Sequence, residues 1–213
     1  MEEIFKERKK LVIIYILIIA SIILNIFVIP RYLAVYWNVL NVVLWIMIFF
    51  LARKVSNQHN RFKGKKDKIT TTFIIVAVYL ILYYLSGLFF GYKKSPFDHS
   101  IFGLLYNFIF YIMVILLQEY TRSRLINNTR SKLGYTFITI LLILVSYNYS
   151  TVYNSFGTGE NIFKFFASDV YPAIIKGILL AFLVKLGSYE LSLMFLLPIR
   201  IMEFVTPIFP DLD

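Results

Sequence analysis

Long apolar runs of similar length alternate with short polar connections along this chain. The first covers about 11–29 and stops at Pro30-Arg31; the others cover about 33–52, 69–90, 101–120, 134–149, 170–187 and 189–209. A hydrocarbon core of roughly 30 Å is crossed by about 20 apolar residues in a helix. The pattern therefore predicts about seven transmembrane helices in a single integral membrane domain over 1–213. In lipid every backbone donor must be satisfied within the structure, which leaves helices or closed barrels. These runs are too long and too uniformly apolar for barrel strands. The predicted fold class is all-α, a polytopic membrane helical bundle. No half of the chain repeats the other, which weighs against an inverted-repeat carrier.

The connections add an orientation. Of 22 Lys and Arg residues, fifteen lie in the leader MEEIFKERKK and in the stretches 53–68 and 121–133. The intervening connections hold only Arg31, Lys93, Lys94 and Lys164. Cationic loops stay on the cytoplasmic side, so the N-terminus is expected inside and the connections near 31, 91–100 and 150–168 outside. The expected location is the cell membrane, as a multi-pass protein. The leader resembles a signal peptide only superficially: its apolar run of 19 residues exceeds the usual h-region, and no small-x-small cleavage site precedes Pro30, so it reads as a retained anchor. Tyr36 and Trp37 read as interfacial anchors.

Composition agrees with this picture. The chain is 59% hydrophobic and 16% charged, against about 25% charged in soluble domains. The net charge of +10 is that of positive-inside loops facing anionic lipid, so the bilayer is the expected partner and nucleic acid is not. The absence of cysteine excludes disulfides, thiolate catalysis and cysteine-based metal sites.

Charges inside apolar runs are costly and therefore mark candidates. Arg200 and Glu203 lie three apart on one helical face, between Pro198 and Pro207. They could contact a substrate or partner, but the spacing favours a self-neutralising pair. Lys176 lies deep in the sixth run, with Glu190, Glu203 or Asp169 as possible partners, while Lys185 is placed to snorkel. Gln118-Glu119 precedes Arg122 at the end of the fourth run. A CAAX-type intramembrane protease would use paired glutamates, an arginine and nearby histidines. Here one glutamate is replaced by Gln118, and the two histidines, His59 and His99, fall outside the runs. No metal or cofactor site is expected. Asn25, Asn38, Asn41 and Asn107 are expected to form interhelical hydrogen bonds, each on the order of 1 kcal/mol.

Three segments carry a resemblance. RFKGKKDKITTTFIIVAVYLILYYLSGLFFGYKKSPFDHS, LLQEYTRSRLINN and the terminal TPIFPDLD resemble the N-terminal membrane region of multi-spanning type I signal peptidases from low-GC Gram-positive bacteria. The resemblance implies that a further membrane segment and a serine–lysine peptidase domain follow such a region. It also implies an anchoring and substrate-presenting role, with secreted preproteins or a membrane partner as the other party. The family's nucleophile stands in a Ser-x-Met-x-Pro setting. Ser192-Leu193-Met194-Phe195-Leu196 lacks the proline, so no catalytic residue is carried over and enzymatic activity of this chain stays open. On this resemblance the chain is expected to be either a truncated protein or a stand-alone membrane partner. The alternatives are a small transporter lined by Arg200, Glu203 and Lys176, and a CAAX-type protease using Glu119.

Overall fold

The computed structural model describes residues 2–26, 37–55, 65–129, 131–145 and 159–211, and among these it has seven helices and one short ribbon. Helix α1 is Glu2–Ile23, α2 is Trp37–Arg53 and α3 is Lys65–Phe90. Strand β1 (Tyr92–Lys94) follows. Helix α4 runs Ile101–Asn127 through a π-helical turn at Phe108–Ile112, and α5 is Lys132–Val145. Helix α6 begins as Gly159–Phe165, passes through a π-helical turn at Phe166–Val170 and continues as Tyr171–Gly187. Helix α7 (Tyr189–Val205) leads into β2 (Ile208–Pro210).

The all-helical character is as expected. Four stretches are long and apolar enough to cross a membrane, by length and composition: Lys9–Ile26, Lys66–Phe90, Ile101–Asn127 and Asn161–Gly187. Asn38–Arg53 and Lys132–Val145 are shorter apolar helices. Several boundaries differ from the apolar pattern. Helix α1 already includes the charged leader, whose Glu, Lys and Arg are good helix formers. Residues 159–168, expected in a loop, are helical. The fourth run continues through QEYTRSRLIN to Asn127, so Glu119 and Arg122 are interior helical residues rather than a span end. Helix α7 stops at Val205, ahead of Pro207, yet accommodates Pro198 within it. Residues 27–29, 33–36 and 146–149 of the expected spans lie outside the described residues, as do His59 and the middle of the 53–68 stretch.

The π-helical turn at Phe166–Val170 has a local cause. It ends just before Pro172, whose ring in a straight α-helix would meet the carbonyl of Ser168. The wider turn relieves that clash, and the Ser168 hydroxyl donates to the Lys164 carbonyl at 2.7 Å. At the other end of α6 the chain turns into α7 through Ser188 alone, at φ 82° and ψ 178°. That backbone conformation is nearly restricted to glycine, so the corner is strained.

Side-chain contacts bring the basic connections to one end of the bundle. Lys10 Nζ donates to the Lys54 carbonyl, joining the start of α1 to the end of α2. Phe49 meets Tyr120, and Tyr120 meets Tyr189, so α2 and α4 finish where α7 begins. Lys68 Nζ donates to the Leu186 carbonyl, and Lys185 lies over Tyr135, which adds the starts of α3 and α5 to the end of α6. We refer to this as the basic end; the ribbon lies at the other.

Helix α4 stands at the centre, against α2, α5, α6 and α7, while α1 packs on α2 and α5, and α3 on α7 and β2. The apolar core joins Ile14 and Ile18 of α1, Trp45 and Ile48 of α2, Leu125 of α4 and Leu142 of α5. Outward, Phe73, Ile75, Leu82, Leu88 and Phe89 of α3 are exposed. Apolar surface of this extent exceeds what soluble monomers show and is compatible with contact to lipid chains. Where α5 and α6 meet, a Cβ on Gly177 would fall 2.2 Å from the Ile143 side chain. Only a small residue permits that approach, as in other close helix pairs in membranes.

Candidate functional site

The central position of α4 explains its most unusual content. Val114, Leu117, Glu119, Thr121, Arg122, Ser123, Leu125 and Ile126 are all buried, so most of its second half is enclosed, with Leu116 left exposed. Glu119 is 1% exposed and Arg122 4%. Three residues apart on one face, they meet: Arg122 Nε donates to Glu119 Oε1 at 3.0 Å. Among the described residues, two buried atoms of the pair have no hydrogen-bond partner, Glu119 Oε2 and Arg122 Nη1. An enclosed ion pair that is only half satisfied contributes little to stability.

Helices α6 and α7 bring three more charges within electrostatic range of this pair. Arg200 Nη1 donates to Glu203 Oε2 within α7, the i,i+3 contact expected from the spacing. Lys176 lies within electrostatic range of Arg200, Glu203, Glu119 and Arg122, and has no hydrogen bond or ion pair of its own among the described residues. From α3, Tyr79 feels both Glu203 and Arg200, and Tyr83 feels Glu203 and Lys93. Glu119 and Arg122 are enclosed, Arg200 and Glu203 are partly exposed, and all four lie within electrostatic range of Lys176, giving three cations against two carboxylates.

At the ribbon end the chain is held by a second constellation. Gly91, at φ 90°, ends α3 and turns the backbone into β1. Strand β1 pairs antiparallel with β2, Tyr92 opposite Pro210, Lys93 opposite Phe209 and Lys94 opposite Ile208. Backbone bonds from Ser95 to Pro207 and from Asp211 to Gly91, both 2.9 Å, extend the pairing. Lys93 meets Asp211 at 3.3 Å. His99 donates from Nε2 to the Thr206 carbonyl at 2.8 Å. The Thr206 hydroxyl donates to Met202 and accepts from Tyr84, while Phe204 sits edge-on to Phe97 at 4.8 Å. Beside this ribbon, Asp98 accepts from the backbone N–H and hydroxyl of Ser100, which holds its carboxyl below the usual 3.8.

These placements bear on the chemistry weighed from sequence. His99 stands just before α4, and Glu119 lies 18 residues into it, about 27 Å along the axis. Among the described residues no group of three or more His, Asp or Glu is arranged to hold a metal. Ser192 is buried and donates to the Tyr189 carbonyl of its own helix. Of the asparagines, Asn38 makes a bond between helices, to the Tyr106 hydroxyl. Asn25 instead donates to Ser21 in its own helix, and buried Asn107 Nδ2 has no partner.

Two features were missed in the sequence. The Glu119–Arg122 pair carried a local signal, the same i,i+3 spacing that singled out Arg200 and Glu203. The ribbon carried only punctuation, Gly91, Pro207 and Pro210. No protein-family model, curated protein or solved structure matches this chain. Fold and site together define a class: an all-helical protein with four helices able to cross a membrane and a charged interior.

Proposed function

We propose that this chain is a membrane-embedded anchoring and substrate-presenting domain of a signal-peptidase-like protein, with seven spans in the cell membrane and the N-terminus inside. The ribbon is the observation that carries this reading. It ties the end of the first segment that resembles the signal peptidase region, GYKKSPFDHS, to another such segment, TPIFPDLD. The third, LLQEYTRSRLINN, supplies the largely buried second half of α4. The resemblance therefore falls on the parts that brace the bundle, as a scaffold requires. On this orientation the ribbon lies at the outer face, where preproteins emerge.

The chain has no cysteine, so single cysteines report on orientation. In intact cells, Lys94→Cys is expected to react with a membrane-impermeant maleimide and Lys66→Cys to be protected. With a photo-crosslinking residue at Ile208, a preprotein with an intact signal peptide is expected to be captured several-fold better than one with a charge in its apolar segment. Equal capture of both would remove the presenting role.

A carrier is a second reading, favoured by the meeting of five charges from three helices. It predicts a voltage-driven proton flux into dye-loaded proteoliposomes that Lys176→Met abolishes. A flux that survives this substitution, or none in the unaltered protein, counts against it.

A further inference from the structure

Beside the contact of Gly177 with Ile143 lies a groove of about 640 Å³ between α5 and α6. Ile140, Ile143, Leu144, Val170, Ile174 and Ile178 form most of its walls. Thr136 and Thr139 also line it, but their hydroxyls donate back to the carbonyls of Lys132 and Tyr135. The groove is left with methyl groups in place of donors.

One end is cationic. Tyr135 lines the groove there, with the Lys185 ammonium 5.0 Å from the centre of its ring. Arg122 acts electrostatically on the same tyrosine, and its Nη1 is buried without a partner. Its neighbour Glu119 is the one carboxylate engaged with it. This is the basic end of the bundle.

The dimensions bear on the occupant. The groove follows α5 from Tyr135 to Leu144, a rise of about 13 Å, enough to lay several carbons of an extended hydrocarbon chain along it. An apolar trough with positive charge at one end matches a molecule with a long chain and an anionic head. Basic pockets between transmembrane helices hold acidic headgroups by this charge match.

We propose that the α5–α6 groove holds an acidic phospholipid, its acyl chain along Ile140, Ile143 and Ile174 and its phosphate at Lys185 with Arg122 behind Tyr135. The site does not depend on whether the domain presents preproteins. It is tested on the purified full chain in mild detergent, titrated with phosphatidylglycerol or phosphatidylcholine of equal chain length and read by native mass spectrometry. Phosphatidylglycerol is expected to bind better, and Lys185→Gln to lower that preference about fivefold with an unchanged melting temperature. Ala173→Trp, or the smaller Ile174→Phe if that variant misfolds, fills the groove and is expected to reduce binding of both lipids. Glycerophosphoglycerol, the head without chains, is expected not to compete. Equal binding of the two lipids, a preference unmoved by Lys185→Gln, competition by the free head, or a second copy of the chain crosslinked at Ala173 would each overturn the proposal.

Discussion

Arg122→Ala is expected to destabilise the bundle by about 3–5 kcal/mol, read as a lower melting temperature in detergent micelles by circular dichroism. The substitution leaves Glu119 charged, enclosed by α2, α5, α6 and α7, and without its hydrogen-bond donor. Lys176, although within electrostatic range, makes no bond to replace it. Removing both charges together, in Glu119→Gln with Arg122→Met, is expected to recover most of the loss. Each partner's cost arises from the other being stranded, and the pair itself contributes little because Glu119 Oε2 and Arg122 Nη1 are already unpartnered. A double variant as unstable as the single one would show that the pair holds the helices through contacts beyond its own charge. A double variant of native stability that no longer supports the activity of the intact system would assign the pair to function.

Trp45→Ala is expected to cost a comparable 3–5 kcal/mol, for a different reason. Trp45 is fully buried in the cluster of α1, α2, α4 and α5. Lipid chains are as apolar as this core, so the loss comes from missing contacts and the cavity rather than from transfer out of water. Trp45→Phe is expected to cost distinctly less, since the indole Nε1 has no hydrogen-bond partner to lose. Melting of the three proteins side by side checks the order. Equal losses for alanine and phenylalanine would mean that the indole nitrogen makes a bond after all.

The legibility of this protein follows the range of the forces involved. Helices were visible because their signal is local: a run of apolar residues must satisfy its own backbone. Where helices end was less visible. The polar sequence QEYTRSRLIN reads as a loop, yet four neighbouring helices enclose it and it stays helical to Asn127. The pairing of Arg200 with Glu203 was readable from three-residue spacing. The same spacing in Glu119 and Arg122 is equally local, but their position at the end of an apolar run hides that the helix continues around them. No pattern in 92–94 announces a partner at 208–210. Backbone pairing across that separation leaves no periodic trace in either segment.

What the sequence determined by itself is the kind of element and the solvent it suits. Apolar length and the placement of cations act one helix at a time, through backbone satisfaction and the cost of moving charge through lipid. Only the tertiary structure decided which charges share an interior, which loops are tied into a ribbon and where a groove opens between α5 and α6. Those depend on how each helix is rotated and how closely it approaches its neighbours. Small local features such as Gly177 set those relations only once the surfaces they face are in place.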